Sequence, residues 1–222
     1  MFSVQGFSDA GSNKVKIKAL YDVYDKGSVK EFTEAYTSLL ASDFYSWNGR
    51  YIGLGFDMGD DGETIERVLR SPVKDNLKPG DKVISVNGIL ASSEEDLPFQ
   101  GALGGEVSII LMRDGKEMTI SMNRALQLDR NDRAMVVDWM STWDAENWAK
   151  RATRLSLNPI IAEGNEVYAS FEASQKNDEG IDVRGWTIER YVFNEAGELT
   201  LSASLKEDLF MAAQNGYNLT KD

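Results

Sequence analysis

The sequence predicts an α+β protein in which one helix-and-strand domain is interrupted by a second, β-rich one. Three observations carry this. The first 48 residues and the stretch after Arg124 hold apolar residues first at helical spacing and then in long alternating runs, whereas the middle reads as short strands cut by turns. Trp47, Trp139, Trp143, Trp148 and Trp186 all lie outside that middle, so the two flanks share an aromatic character. The first 48 residues also offer too little apolar surface to fold alone as a helix pair. The expected division is therefore residues 1–48 with 126–222 as a discontinuous host domain, and residues 49–125 as the insertion.

Each element has a local reason. Ile17, Leu20, Tyr21 and Tyr24 recur at i, i+3, i+4 and i+7, one face of a helix that Gly27 ends. Ser28 and Glu31 form a capping-box pair that starts a second helix, whose apolar face is Phe32, Ala35, Tyr36, Leu39 and Leu40. "ASDFYSWNG" breaks that period and begins a strand. In the middle, "YIGLGF", "TIERVL", "DKVISVNG", "EVSIILMR" and "EMTISMN" are strand runs, and Asp114-Gly115 marks a hairpin between the last two. A short helix over Glu94 to Leu103 fits the remainder, limited by Pro98. Beyond Arg124, Val136, Trp139, Met140 and Trp143 mark a third helix, with Asp129, Asn131 and Asp132 as candidate caps. Two long alternating runs follow, joined by the turn "NEAGE" to a last strand of Leu199, Leu201, Ala203 and Leu205.

Composition excludes several functions. The 222 residues carry a formal net charge of −12, which disfavours nucleic acid and anionic membrane as partners. There is no cysteine and no histidine, which removes thiolate chemistry, the usual zinc ligands and any Ser-His-Asp triad. No cofactor, metal or catalytic residue is assigned, and an enzyme is the less favoured class. No apolar run is long enough to span a bilayer. The start "MFSVQGFSDAGSNK" lacks the basic-then-apolar pattern of a secretory leader, so the chain is either cytosolic or a processed form.

The glycine loop "GRYIGLGFDMGDDG" asks for a ligand reading. A dinucleotide fingerprint fails, because Met58 stands where the third glycine belongs and two aspartates follow instead of a helix. A carboxylate reading fits better. Gly53 and Gly55 flanking Leu54 let consecutive amides converge on one point, and a chain end held there could extend beside the strand from Phe56 to Met58.

This middle segment, from Gly49 to Arg124, resembles a PDZ domain of the kind found in bacterial C-terminal processing proteases. The likeness rests on "YIGLGF", Ser71-Pro72, "LKPGDKVISVNG" and "QGALGGEVSIILMRDGKEMTISMNR" in that order. It implies a β-barrel or sandwich that binds a peptide or protein C-terminus through Gly53, Leu54, Gly55, Phe56, Met58 and Leu97. Asp81 takes a structural place at a turn, and Glu94 or Glu95 stands where many relatives carry a histidine. It also implies a bacterial extracytoplasmic setting in preference to the cytoplasm.

The flanks resemble the NTF2-like (SnoaL-like) α+β cone, in which helices pack on a curved antiparallel sheet. The likeness rests on "KIKALYDVYDKGSVKEFTEAYTSLLASDFYSW", "NPIIAEGNEVYASFEASQ" and "VRGWTIERYVFNEAGELTLSASLKEDL". It implies a cavity for a small molecule, with Trp47, Asp138, Trp139, Trp143, Arg184, Trp186, Glu189 and Tyr191 as candidate lining residues, and a homodimer formed through the sheet. Strand alternation puts Arg184 and Trp186 on one face and Glu189 and Tyr191 on the other, so they cannot all line one cavity.

The expected function is a non-enzymatic binding protein that captures a C-terminus by a carboxylate nest and strand addition, with the host domain supplying dimerisation or a small-ligand pocket. Two alternatives stand beside it. One is an enzyme working in the host pocket, to which the inserted part recruits substrate. The other is a structural protein whose groove is filled by its own chain.

Overall fold

The computed structural model describes residues 9–68, 73, 76–93, 96–177 and 179–216. In chain order the elements are α1 (Ala10–Lys26), α2 (Val29–Leu39), β1 (Leu40–Gly53), β2 (Phe56–Met58), β3 (Ile65–Val68), β4 (Lys82–Val86), β5 (Ile89–Leu90), β6 (Glu106–Arg113), β7 (Lys116–Asn123), β8 (Ala125–Asp132), α3 (Arg133–Ser141), α4 (Ala145–Ala149), β9 (Thr153–Leu157), β10 (Ile161–Glu163), β11 (Glu166–Lys176), β12 (Asp182–Phe193), β13 (Leu199–Lys206) and α5 (Asp208–Gln214). The chain divides into two compact units, Met1–Gly49 with Arg130–Asp222, and Arg50–Asp129.

The first unit is α+β with a mostly antiparallel sheet. The sheet runs β10-β11-β12-β13-β1-β8, with β9 also on β11. A parallel pairing sets β1 beside β13, with Leu40 opposite Leu199 and Trp47 opposite Ala203. That pairing is non-local, which periodicity within either strand cannot reveal. The helices begin where their caps dictate. Asp9 accepts the Ser12 amide to start α1, and Ser28 and Glu31 close a reciprocal box at α2. Asp132, the last of the three candidate caps, accepts the Met135 amide to start α3. Ile17 and Tyr21 of α1, and Val136 and Met140 of α3, share a core with Phe44, Val167, Phe171, Tyr191, Phe193 and Leu199 of the sheet. Each fully buried large side chain contributes about 1.5–3 kcal/mol by leaving water.

The second unit holds a two-stranded sheet, β2-β3, and a four-stranded one, β5-β4-β6-β7. Asp114, at φ +50°, and Gly115, at φ +74°, make the β6–β7 hairpin turn, and Arg113 pairs with Lys116 across it. The core is apolar: Leu54, Ile65, Val73, Leu77, Val83, Val86, Val107, Ile109, Leu111 and Met122. Asp81 sits at the turn before β4. It accepts the Lys78 amide at 2.8 Å and both Arg113 Nε at 2.7 Å and Nη2 at 2.5 Å.

The peptide-capturing expectation fails on this geometry. Gly53, Leu54 and Gly55 are buried, and Leu54 belongs to the core instead of lining an open slot. The Gln127 side chain lies 2.7 Å from where a Cβ on Gly55 would stand, and the Phe99 carbonyl faces Gly53. Residues 96–103 form no helix, so the groove's second wall is missing from the described residues. That segment collapses onto the core instead: Leu97 and Phe99 pack against it, and Phe99 meets Phe56 edge-to-face at 4.9 Å. Pro98 and Gly101 favour this collapse over a helix. Glu94 and Glu95, expected at the start of that helix, and Ser71-Pro72 lie outside the described residues.

Candidate functional site

The sheet of the first unit has two chemically different faces, and β12 shows both. Val183, Gly185, Thr187, Tyr191 and Phe193 are buried on one face, and Glu189 lies half-buried among them. Arg184, Trp186 and Ile188 alternate on the other and are exposed. A period of two is enough to place a glutamate on the inner face, but not to satisfy it there.

Two elements satisfy it. Tyr21 comes from the buried stripe of α1, and its hydroxyl donates to Glu189 Oε2. Tyr191, two residues along β12, donates to the same oxygen at 2.5 Å. The two hydroxyls lie 3.3 Å apart. No described residue hydrogen-bonds to the other oxygen, Oε1. The neighbours in register with Glu189 are Ala169 on β11 and Ser204 on β13, both small.

A cation sits behind this cluster. The Arg154 guanidinium on β9 stacks 4.0 Å from the Tyr21 ring centre and 4.9 Å from that of Phe171, and it pairs with Asp25 at 2.9 Å. Its side chain is 7% exposed, and its Nε has no hydrogen-bond partner. Burial first, and then the Glu189 charge, push the Tyr21 hydroxyl far above the usual phenol range; Arg154 works weakly in the other direction. Burial and Glu189 likewise hold Tyr191 well above its ordinary value. Tyr36 of α2 is pushed up to about 12 by burial and shares a hydrogen bond of 3.0 Å with Ser202 of β13. Tyr21 and Tyr191 are therefore neutral donors to one carboxylate.

The structure separates the candidate lining residues. Glu189 and Tyr191 share the inner face. Arg184 and Trp186 lie on the outer one, and Trp47 joins them there by its register with Ala203 and, through it, Arg190. Trp47 donates from Nε1 to the Gly49 carbonyl at 2.6 Å. Trp143 packs against the core and stacks on Phe32. Trp139 is 60% exposed and Asp138 is exposed, so neither belongs to the cluster. Sequence reading missed Tyr21, Arg154, Tyr36 and Ser202. The available signal for Tyr21 was a phenol on an apolar helical face, since a buried hydroxyl needs a partner.

No family model and no curated protein matches the chain. Solved structures similar to the chain include NTF2-like and SnoaL-like proteins. An NTF2-like protein from Burkholderia xenovorans is 7% identical, with 92% of this chain and 96% of that one covered at a TM-score of 0.44. A putative SnoaL-like polyketide cyclase from Jannaschia is 8% identical, with 91% and 93% covered at 0.43. SalBIII, an epoxide hydrolase/cyclase-like enzyme in pyran ring formation in salinomycin, is 10% identical, with 90% and 93% covered at 0.41. The filled glycine loop, with Leu54 in the core and the Gln127 side chain against Gly55, overturns the non-enzymatic C-terminus-capturing function. None of the neighbours assigns an activity to this chain, so the activity has to come from its own side chains.

Proposed function

We propose that the first unit is an enzyme that takes a small neutral organic molecule on the inner face of its sheet and moves a proton with Glu189. Oε1 accepts the proton from a C–H or O–H of the bound molecule, and the electron pair stays on the molecule. Glu189 then returns the proton at the same or a second atom. Tyr21 and Tyr191 hold Oε2 and fix the carboxylate's plane. Arg154, shared with Asp25, supplies one positive charge behind the cluster. A negatively charged substrate is disfavoured by the chemistry, because a carboxylate in a partly desolvated site repels an anion. The observation that carries this reading is the single carboxylate with two buried phenols on one oxygen and the other oxygen left for a ligand. Positioned carboxylates of this kind contribute roughly 10²–10⁴-fold to proton transfer.

The test is solvent-deuterium exchange into a panel of small ketones and other carbon acids, followed by NMR. Wild type should exchange at least one member, and Glu189→Gln should lose about 10²-fold or more of that rate while still binding the compound. Tyr21→Phe should lower the rate less. Exchange that Glu189→Gln leaves unchanged would sink the assignment.

A further inference from the structure

The open edge of β12 is covered in an unusual way. β13 pairs with β12 only from Thr187 to Phe193, while β11 accompanies it down to Asp182. Residues 182–186 thus have a strand on one side only. On the other side lies α5. Gln214 accepts the Arg184 amide on Oε1 at 3.0 Å and donates from Nε2 to the Arg184 carbonyl at 2.6 Å, so one side-chain amide stands in for a strand residue. Glu207 accepts the Trp186 amide at 2.8 Å, and its own amide donates to the Trp186 carbonyl at 3.2 Å. Met211 fills the space over Gly185, 2.9 Å from where a Cβ would stand.

The cover is lightly held. α5 has seven residues, none of them buried, and Leu209 and Phe210 are 67% and 56% exposed. Glu207 precedes the helix but makes no side-chain cap bond to it, because its carboxylate is spent on β12. A segment without buried apolar anchors opens at low cost. What it uncovers is a row of strand donors and acceptors, the template for strand addition.

We propose that α5 is a releasable cover over this edge, and that the strand which replaces it is the same edge of a second copy of the chain. The charges favour a two-fold antiparallel pairing centred on Val183. It sets Asp182 of each copy against Arg184 of the other, and both side chains are exposed on the outer face. In that register Arg184 and Asp182 are the residues whose main-chain groups exchange bonds. Centring on Arg184 would place like charges opposite each other.

Hydrogen exchange and sedimentation velocity on the full chain test this together. In the double variant Glu207→Ala/Gln214→Ala, the Arg184 and Trp186 amides should exchange at least tenfold faster than in wild type, and a dimer should appear as concentration rises. Adding Arg184→Asp should abolish that dimer, and Asp182→Arg on top of it should restore it. Glu207→Gln keeps an acceptor for the Trp186 amide and should behave as wild type. Should the double variant lose its near-ultraviolet dichroism, Gln214→Ala alone, which removes the acceptor of the Arg184 amide, carries the same expectation at that residue. Unchanged exchange in the variants would overturn the cover. Faster exchange in a protein that stays monomeric, or a dimer indifferent to Arg184→Asp, would overturn the second copy as its occupant.

Discussion

The two units bury their polar groups for different ends. In the second unit, Asp81 is buried at a turn and every acceptor it offers is used to fix that turn to Arg113 and the Lys78 amide. In the first unit, Glu189 lies over the sheet with one oxygen saturated by two phenols and the other left open. A fully satisfied buried carboxylate rigidifies a loop; a half-satisfied one is costly to the fold. The proposed chemistry rests on the open oxygen in the first unit, while the second unit has a packed apolar core.

The largest effect expected from breaking this contrast is in the second unit. Asp81→Ala strands the largely buried Arg113 charge and should cost about 3–5 kcal/mol, read as a drop in that unit's unfolding midpoint in urea. Leu54→Ala should cost about 2–5 kcal/mol in the same unit, whereas an open-groove residue would cost far less. Gel filtration and denaturation of both variants would show the first unit still folded.

Replacing Glu189 by Ala should cost less stability, about 1–3 kcal/mol, because two buried hydroxyls lose their acceptor. The Tyr21→Phe/Tyr191→Phe pair of changes should recover part of that loss in the Glu189→Ala background, since no orphaned donors then remain. Absence of any recovery in a thermal melt would break the view that the phenols exist to hold this carboxylate.

The pH responses of the two units should also diverge. Burial works to raise the Asp81 carboxyl, but Arg113 and the Lys78 amide outweigh it and hold it below its ordinary value. A depressed carboxylate contributes stability that is present above its unfolded value, about 3.9, and lost as pH falls through the folded one. The second unit should therefore weaken below about pH 4, and Asp81→Asn should flatten that dependence. Tyr36 behaves oppositely: its hydroxyl is neutral up to about 12 in the fold and ionises near 10 when unfolded. Its contribution is complete below about pH 10 and lost as pH rises toward 12, together with those of Tyr21 and Tyr191. Stability curves between pH 9 and pH 12, about the span of phenol ionisation, should move the first unit's transition more than the second's. The smallest change expected is from Ser28→Ala, about 1 kcal/mol through the lost capping box, confined to the first unit.

Much of the architecture was legible from short-range patterns. The capping box at Ser28, the hairpin at Asp114-Gly115 and the alternation that turns Glu189 and Tyr191 away from Arg184 and Trp186 all follow from neighbours within a few residues. The glycine loop was misleading for the same reason. Gly53 and Gly55 license a backbone shape, but whether their amides meet a ligand or a buried wall depends on Gln127, Leu97 and Phe99, which are far away in the chain.

By itself, the sequence determined the helical stripes, the strand periods, the capped ends and the absence of histidine and cysteine chemistry, because each is a property of adjacent residues or of composition. Only the tertiary structure decided that Tyr21 of the first helix meets Glu189 of β12, that β1 lies parallel to β13 and that α5 covers the β12 edge. Those contacts join residues up to 168 positions apart, and they are chosen by the burial of whole faces, which no local period encodes.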